Sequence, residues 1–317
     1  MRNQTILNEF LLSGLSDLPA LQLPLFFFFL LTYLLTLIWN FLIIVLVVID
    51  SGLHVPMYFF LGNLAGLDLC YSSLTVPRML FDLYTNTRKI TIPACITQVF
   101  YFFFFSTTEF LLLAVMSYDR YTAICQPLHY TQIMSWKVCV QLACIVWCLA
   151  CTNALIHTLC GLNLKFCGSD IIESFFCDFP QLLQISCSDI YINILLIFIL
   201  GGILAVCSLT LIVLSYVSIF RTVLKIKVKG KMSKVFSTCT SHLTVVFIFY
   251  CSSIFNYFRP SPNQHFAVDK VASVFYAVMT PLLNPLIYSL RNQDFRRAFY
   301  NVFRKIVYTA MGKMNLH

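Results

Sequence analysis

Apolar residues run along this chain in seven long stretches separated by short polar breaks, at residues 23–49, 56–80, 93–118, 138–158, 191–220, 234–257 and 270–290. A helix needs about 20 such residues to cross roughly 30 Å of hydrocarbon. The pattern therefore predicts an all-α membrane protein, a seven-helix transmembrane bundle over residues 23–290. A polar segment, residues 1–22, precedes it and a tail, residues 291–317, follows. In that tail Phe295, Phe299, Val302, Phe303 and Ile306 share one helical face, opposite Arg296, Arg297, Arg304 and Lys305. Such a basic amphipathic helix is expected to lie in the headgroup region on the cytoplasmic side.

The polar breaks also carry orientation. The break after the fifth stretch holds Arg221, Lys225, Lys227, Lys229, Lys231 and Lys234, and the tail holds Arg291, Arg296, Arg297, Arg304, Lys305 and Lys313. Both fall on one side of a seven-span chain, and basic loops mark the cytoplasm. The N-terminus is then expected outside, where Asn3-Gln4-Thr5 is the chain's only N-x-S/T glycosylation sequon. Residues 1–19 are polar and mixed, so no cleavable signal peptide is expected.

Composition narrows the function. The chain is 59% hydrophobic and only 11% charged, against about 25% charged in a soluble domain, which excludes a soluble enzyme. No nucleophile–base pair, phosphate loop or metal cluster appears in the sequence. The net charge of +8 follows the loop bias and points to topology, with no nucleic-acid partner. Cys144, Cys148 and Cys151 share a face of the fourth span, but no His or acid joins them, so they read as packing residues. The phenylalanine runs 26–29 and 102–105 read as lipid-facing or packing residues.

Ionisable groups at bilayer depth are costly and point to function. Asp68 lies about 12 residues into the second span and Glu109 about 11 residues before Arg120, both near mid-depth at 1.5 Å per residue. Phe102, Ser106, Glu109, Leu113, Met116 and Arg120 form one stripe that must face the bundle. Two carboxylates facing one space imply a shared cation, a shared proton or separate hydrogen-bonded partners. A proton- or cation-coupled transporter would use them too, although the odd span count and lack of a repeat weigh against it. Asp119-Arg120, at the inner end of the third span, is an acid–arginine pair that a moving helix could break. Pro285 frees a backbone carbonyl in the seventh span, and Asn284 before it can reach Asp68. Cys95, Cys167, Cys177 and Cys187 lie in or beside the outer loops. Four cysteines allow three pairings, and Cys160 is a nearby competitor.

These residues sit in strings that resemble the olfactory (odorant) receptors of the rhodopsin-like G-protein-coupled receptor superfamily. The strings are Pro56-Met57-Tyr58-Phe59-Phe60-Leu61 with Asp68, residues 116–130, Ser215-Tyr216, residues 234–250 and residues 281–292. Phe236-Ser237-Thr238-Cys239-Thr240-Ser241-His242 is characteristic of olfactory receptors rather than of the wider superfamily. Three departures stand out: Trp39 beside Asn40, Ser117, and Cys251 after Tyr250.

The resemblance implies roles. Arg120 would release Asp119 on activation and meet a G protein beside Tyr216 and Tyr288, while His242 would line the mobile inner half of the sixth helix. Asp68 and Glu109 match positions where such receptors hold a sodium ion, the one ion expected and the only cofactor. The implied disulfides are Cys95–Cys177 and Cys167–Cys187. The implied pocket contains Phe103, Ser106, Thr107, Leu200, Leu204, Tyr250, Ser253, Tyr257 and Ala277, with no full charge. Such a lining suits a small, neutral, hydrophobic odorant. The implied partner is the stimulatory olfactory G protein of the cyclic-AMP pathway, and the implied location the plasma membrane among its lipids. A non-olfactory ligand on the same fold is the other reading.

Overall fold

The computed structural model describes residues 8–304 except 17, 86, 168–169, 226–228, 258–265, 292–294 and 303; for 229–238, 256–257, 266–269 and 290–291 it describes the backbone alone. Seven helices cross the molecule: α1 (Pro19–Ile49), α2 (Pro56–Thr85), α3 (Ile92–Cys125), α4 (Trp136–Gly161), α5 (Tyr191–Val223), α6 (Lys229–Tyr257) and α7 (residues 266–291). Six hold an apolar window long enough to span a membrane, and α6 holds a shorter one, Cys239–Phe255. The chain is a multi-pass membrane protein built as a seven-helix bundle. Residues 295–302 form a further helical segment after α7, with Phe295 and Ala298 buried and Arg296 and Arg297 exposed.

The helices outlast their apolar runs because the backbone ladder does not stop where the lipid does. In α2 an i,i+4 ion pair, Arg78 Nε to Asp82 Oδ1 at 3.0 Å, carries the helix through polar residues to Thr85. Pro19 and Pro93 sit in the first turns of α1 and α3, where a missing N–H costs nothing. Two helices widen locally into π turns, α5 at Ile197–Gly201 and α7 at Phe275–Met279.

α3 is the central helix and packs against α2, α4, α5 and α6. Large apolar side chains on the outer faces, such as Phe27, Phe28, Phe41 and Phe247, are exposed as lipid contacts require. The two phenylalanine runs divide accordingly: Phe27 and Phe28 point outward, whereas Phe102, Phe103 and Phe105 are core.

One end of the bundle is closed by a small sheet that the sequence pattern did not predict. Strands β1 (Glu9–Leu12), β2 (Lys89–Thr91) and β3 (Ile171–Ile172) lie in the order β2-β1-β3. β1 runs antiparallel to β2, with Phe10 opposite Ile90, and parallel to β3, with Leu11 opposite Ile171. Phe10 and Leu12 are buried beneath it. Arg88 locks the following turn by donating to Ser13 O at 2.6 Å and Ser16 O at 2.8 Å. At this end Cys95 pairs with Cys177, and Cys167 with Cys187 (Cα–Cα 5.3 and 6.0 Å). Cys160 is a free, half-buried thiol.

Candidate ligand cavity and polar core

Toward the disulfide end, α3, α4, α5 and α6 enclose a cavity of about 60 Å³. It is lined by Phe103, Ser106, Thr107, Phe110, Asn153, His157, Ile197, Gly201, Leu204, Ala205 and Ser253, none of them fully charged. Five residues of the implied pocket therefore meet here: Phe103, Ser106, Thr107, Leu204 and Ser253. Three others do not line it. Leu200 lies in the π turn of α5, whose wider i→i+5 pitch presents Ile197 and Gly201 to the cavity instead. Ala277 lies in the π turn of α7 and is fully buried in the core. Tyr250 stands behind Phe110, ring to ring at 5.0 Å. The Tyr257 side chain, like Asn3, lies outside the described residues.

Asn153 and His157 are the main polar lining residues that sequence reading missed. Their signal was present: two polar residues four apart, hence on one face, in the second half of a largely apolar span. Asn153 Nδ2 donates to Thr107 Oγ1 at 2.9 Å, and Tyr276 OH donates to Ser106 Oγ at 2.7 Å. The His157 ring stacks on Phe103 at 4.2 Å and 11° between planes. Phe179, two residues after the disulfide-bonded Cys177, packs edge-on against the lining residue Phe103 at 5.5 Å and so backs the cavity wall.

Midway along the bundle lies a buried polar core. Asn284 Nδ2 donates to Asp68 Oδ1 and Oδ2 at 3.2 and 3.3 Å and to Glu109 Oε1 at 3.1 Å. Asp68 is 1% and Glu109 4% exposed, so α2, α3 and α7 meet through a single amide. Pro285 has no N–H for the carbonyl four residues back, Pro281 O. Asn40 Nδ2 supplies that hydrogen at 3.0 Å, which ties α1 to α7 one turn before Pro285. The two carboxylates and Asn284 form an oxygen-rich set with no Lys or Arg in an ion pair to it among the described residues, and this donor chemistry suits a small hard cation.

At the opposite end Arg120 Nη2 donates to Asp119 Oδ2 at 3.3 Å, and Tyr130 OH donates to Asp119 Oδ1 at 2.8 Å. Tyr130 belongs to a single helical turn beyond α3. Burial and the Asp119 carboxylate push its phenol above the ordinary tyrosine value, so it remains a donor at neutral pH. His242 is buried and bridges two helices, with Nδ1 3.0 Å from Tyr216 OH on α5 and Nε2 3.1 Å from Leu113 O on α3. Tyr288 is buried in α7, its hydroxyl without a partner among the described residues.

Between the cavity and this end, α6 is the connecting element. Phe110, a cavity wall, packs on Phe249 at 4.6 Å and on Tyr250 at 5.0 Å. Tyr250 OH is 2.6 Å from Ser208 Oγ on α5. Outside these contacts an open apolar groove of about 910 Å³ separates α5 from α6, running from Leu209 and Tyr250 to Arg221 and Cys239. Cys251 lines this groove and is exposed, so its departure from the family pattern bears on the lipid-facing surface and not on the ligand cavity.

This arrangement agrees with what the chain is similar to. A family profile described as olfactory receptor matches residues 29–306. The human Olfactory receptor 5B12 is 48% identical over 299 residues, 94% of this chain and 95% of the relative. Olfactory receptor 1500 of Rattus norvegicus is 48% identical over 300 residues (95% and 96% of the two chains), and the human Olfactory receptor 1C1 is 45% identical over 304 residues (96% and 97%). The chain belongs to the olfactory receptor family, whose members are G-protein-coupled receptors and not enzymes.

Proposed function

We propose that this chain is an odorant receptor of the plasma membrane, with its N-terminus and Asn3 outside and its tail in the cytoplasm. A small, neutral, largely hydrophobic molecule binds in the cavity between α3, α4, α5 and α6 and activates the stimulatory olfactory G protein, raising cyclic AMP. The observation that carries this reading is a cavity with no full charge in its lining, set against the aromatic contact of Phe110 with α6. An unpaired ammonium or carboxylate would be desolvated there without a counter-charge.

The packing supports a relay. A ligand against Phe110 shifts the Phe249–Tyr250 layer of α6, and two helical turns further on α6 carries His242. Moving α6 outward gives up the bonds of His242 to Leu113 O and Tyr216, and it clears the space beside Arg120. Arg120 then leaves Asp119 to meet the G protein beside Tyr216 and Tyr288. Asp68, Glu109 and Asn284 would hold a sodium ion in the resting state, which supplies the charge compensation two buried carboxylates need.

The test is a panel of neutral odorants, amines and carboxylic acids applied to cells expressing the chain with an olfactory G protein, with cyclic AMP as the readout. The best agonists are expected to be neutral. An amine or an acid as the strongest agonist would contradict the charge-free cavity as the binding site.

A further inference from the structure

We propose that His157 and Ser253 form a polar clasp that selects ligands bearing a carbonyl or hydroxyl oxygen, so that the ligand class is compact oxygenated organic molecules rather than hydrocarbons. The inference rests on the reading of the cavity as the ligand site and specifies what that site recognises.

Both residues line the cavity, from α4 and α6, and both are buried, at 1% and 4% exposure. His157 Nδ1 and Ser253 Oγ have no hydrogen-bond partner among the described residues. Buried polar atoms are almost always paired in folded proteins, so two orphans on one small cavity call for an occupant that pairs with them. The neighbouring hydroxyls each have a protein partner, Thr107 accepting from Asn153 and Ser106 from Tyr276, and differ in this from the two orphans. The His157 ring is held flat against Phe103, so its orphaned nitrogen stays directed by that stack.

The chemistry of the pair names the ligand group. Neutral imidazole presents Nδ1 as a donor or an acceptor according to tautomer, and the serine hydroxyl does both. A carbonyl oxygen accepts two hydrogen bonds and meets both groups as donors. A hydroxyl donates to one and accepts from the other. A hydrocarbon leaves both atoms unpaired, and a carboxylate brings a charge that nothing in the lining neutralises.

The experiment uses matched rings of six, eight and ten carbons, each as ketone, alcohol and parent hydrocarbon. The full chain, purified into lipid nanodiscs, is tested for ligand-induced thermal stabilisation, and cyclic AMP is followed in parallel in cells. Ketones and alcohols of at least one ring size are expected to stabilise the receptor, with the matching hydrocarbon at least tenfold weaker, equivalent to about 1.4 kcal/mol. His157→Phe, which keeps the ring on Phe103, and Ser253→Ala are each expected to erase most of that preference. His157→Asn, which keeps a polar atom near Nδ1, is expected to restore part of it. Equal binding of hydrocarbon and ketone, an unchanged preference in His157→Phe, or no binding of any oxygenated ring overturns the clasp. Stabilisation without cyclic AMP leaves the clasp standing and counts against the signalling reading, so the two fail separately.

Discussion

Replacing Cys177 with serine is expected to remove nearly all folded receptor from the cell surface. The Cys95–Cys177 bridge closes a loop of 82 residues, and cross-linking a loop of that length stabilises by about 4–5 kcal/mol in the chain-entropy account. Total stabilities of single domains are only about 5–15 kcal/mol. The bridge also positions a segment that backs the cavity wall. Cys177 N–H bonds to Gln98 Oε1 at 3.0 Å, Phe176 stacks on Phe102 at 5.6 Å, and Phe179 covers Phe103 and His157. Cys167→Ser opens a loop of only 20 residues, worth about 3 kcal/mol on the same account, and is expected to be the milder change. Surface staining with the melting midpoint of purified protein orders the two variants. Wild-type staining and midpoint in Cys177→Ser would sink the claim that the bridge holds this end of the bundle together.

Asn284→Leu is expected to be about as damaging, for a different reason. The Asn284 amide is the donor that Asp68 and Glu109 share, and both acids are buried. Leaving a buried polar group without its hydrogen-bond partner costs about 1–3 kcal/mol, and both Asp68 and Glu109 lose theirs at once. The loss should be largely recovered in the triple variant Asn284→Leu with Asp68→Asn and Glu109→Gln, where neutral amides replace both acids. Melting midpoints of the single, double and triple variants measure this coupling. Strict additivity across the set would mean that the three residues do not act as one group.

Much of the architecture was legible because lipid imposes a coarse code. Apolar length and loop charge define the spans, and the cost of buried charge singles out Asp68, Glu109, Asp119 and Arg120. Asn284 was read correctly as within reach of Asp68, since it precedes a proline in a helix that must pack inward. The closing sheet was not legible, because four residues of alternation in β1, Glu9 to Leu12, are too few to stand out without their partners in two distant loops. The cavity was half legible. Of the residues implied by the resemblance, Phe103, Ser106 and Thr107 on the regular helix α3 line the cavity, whereas Leu200 and Ala277 lie on π turns that rotate the register and do not line it. His157 was overlooked because Thr152, Asn153, His157 and Thr158 interrupt the apolar run together, and the fold is needed to see that Asn153 and His157 share the cavity wall.

Signalling in this receptor requires that occupancy of the cavity be read out through α6 at Arg120. The most direct measurement is cyclic AMP per surface receptor for wild type and Arg120→Ala, with and without an odorant that binds the cavity. Arg120 bonds Asp119 but lines no part of the cavity, so the variant is expected to bind the odorant with unchanged affinity and to lose the cyclic-AMP response. A full response from Arg120→Ala at equal surface density would contradict the account.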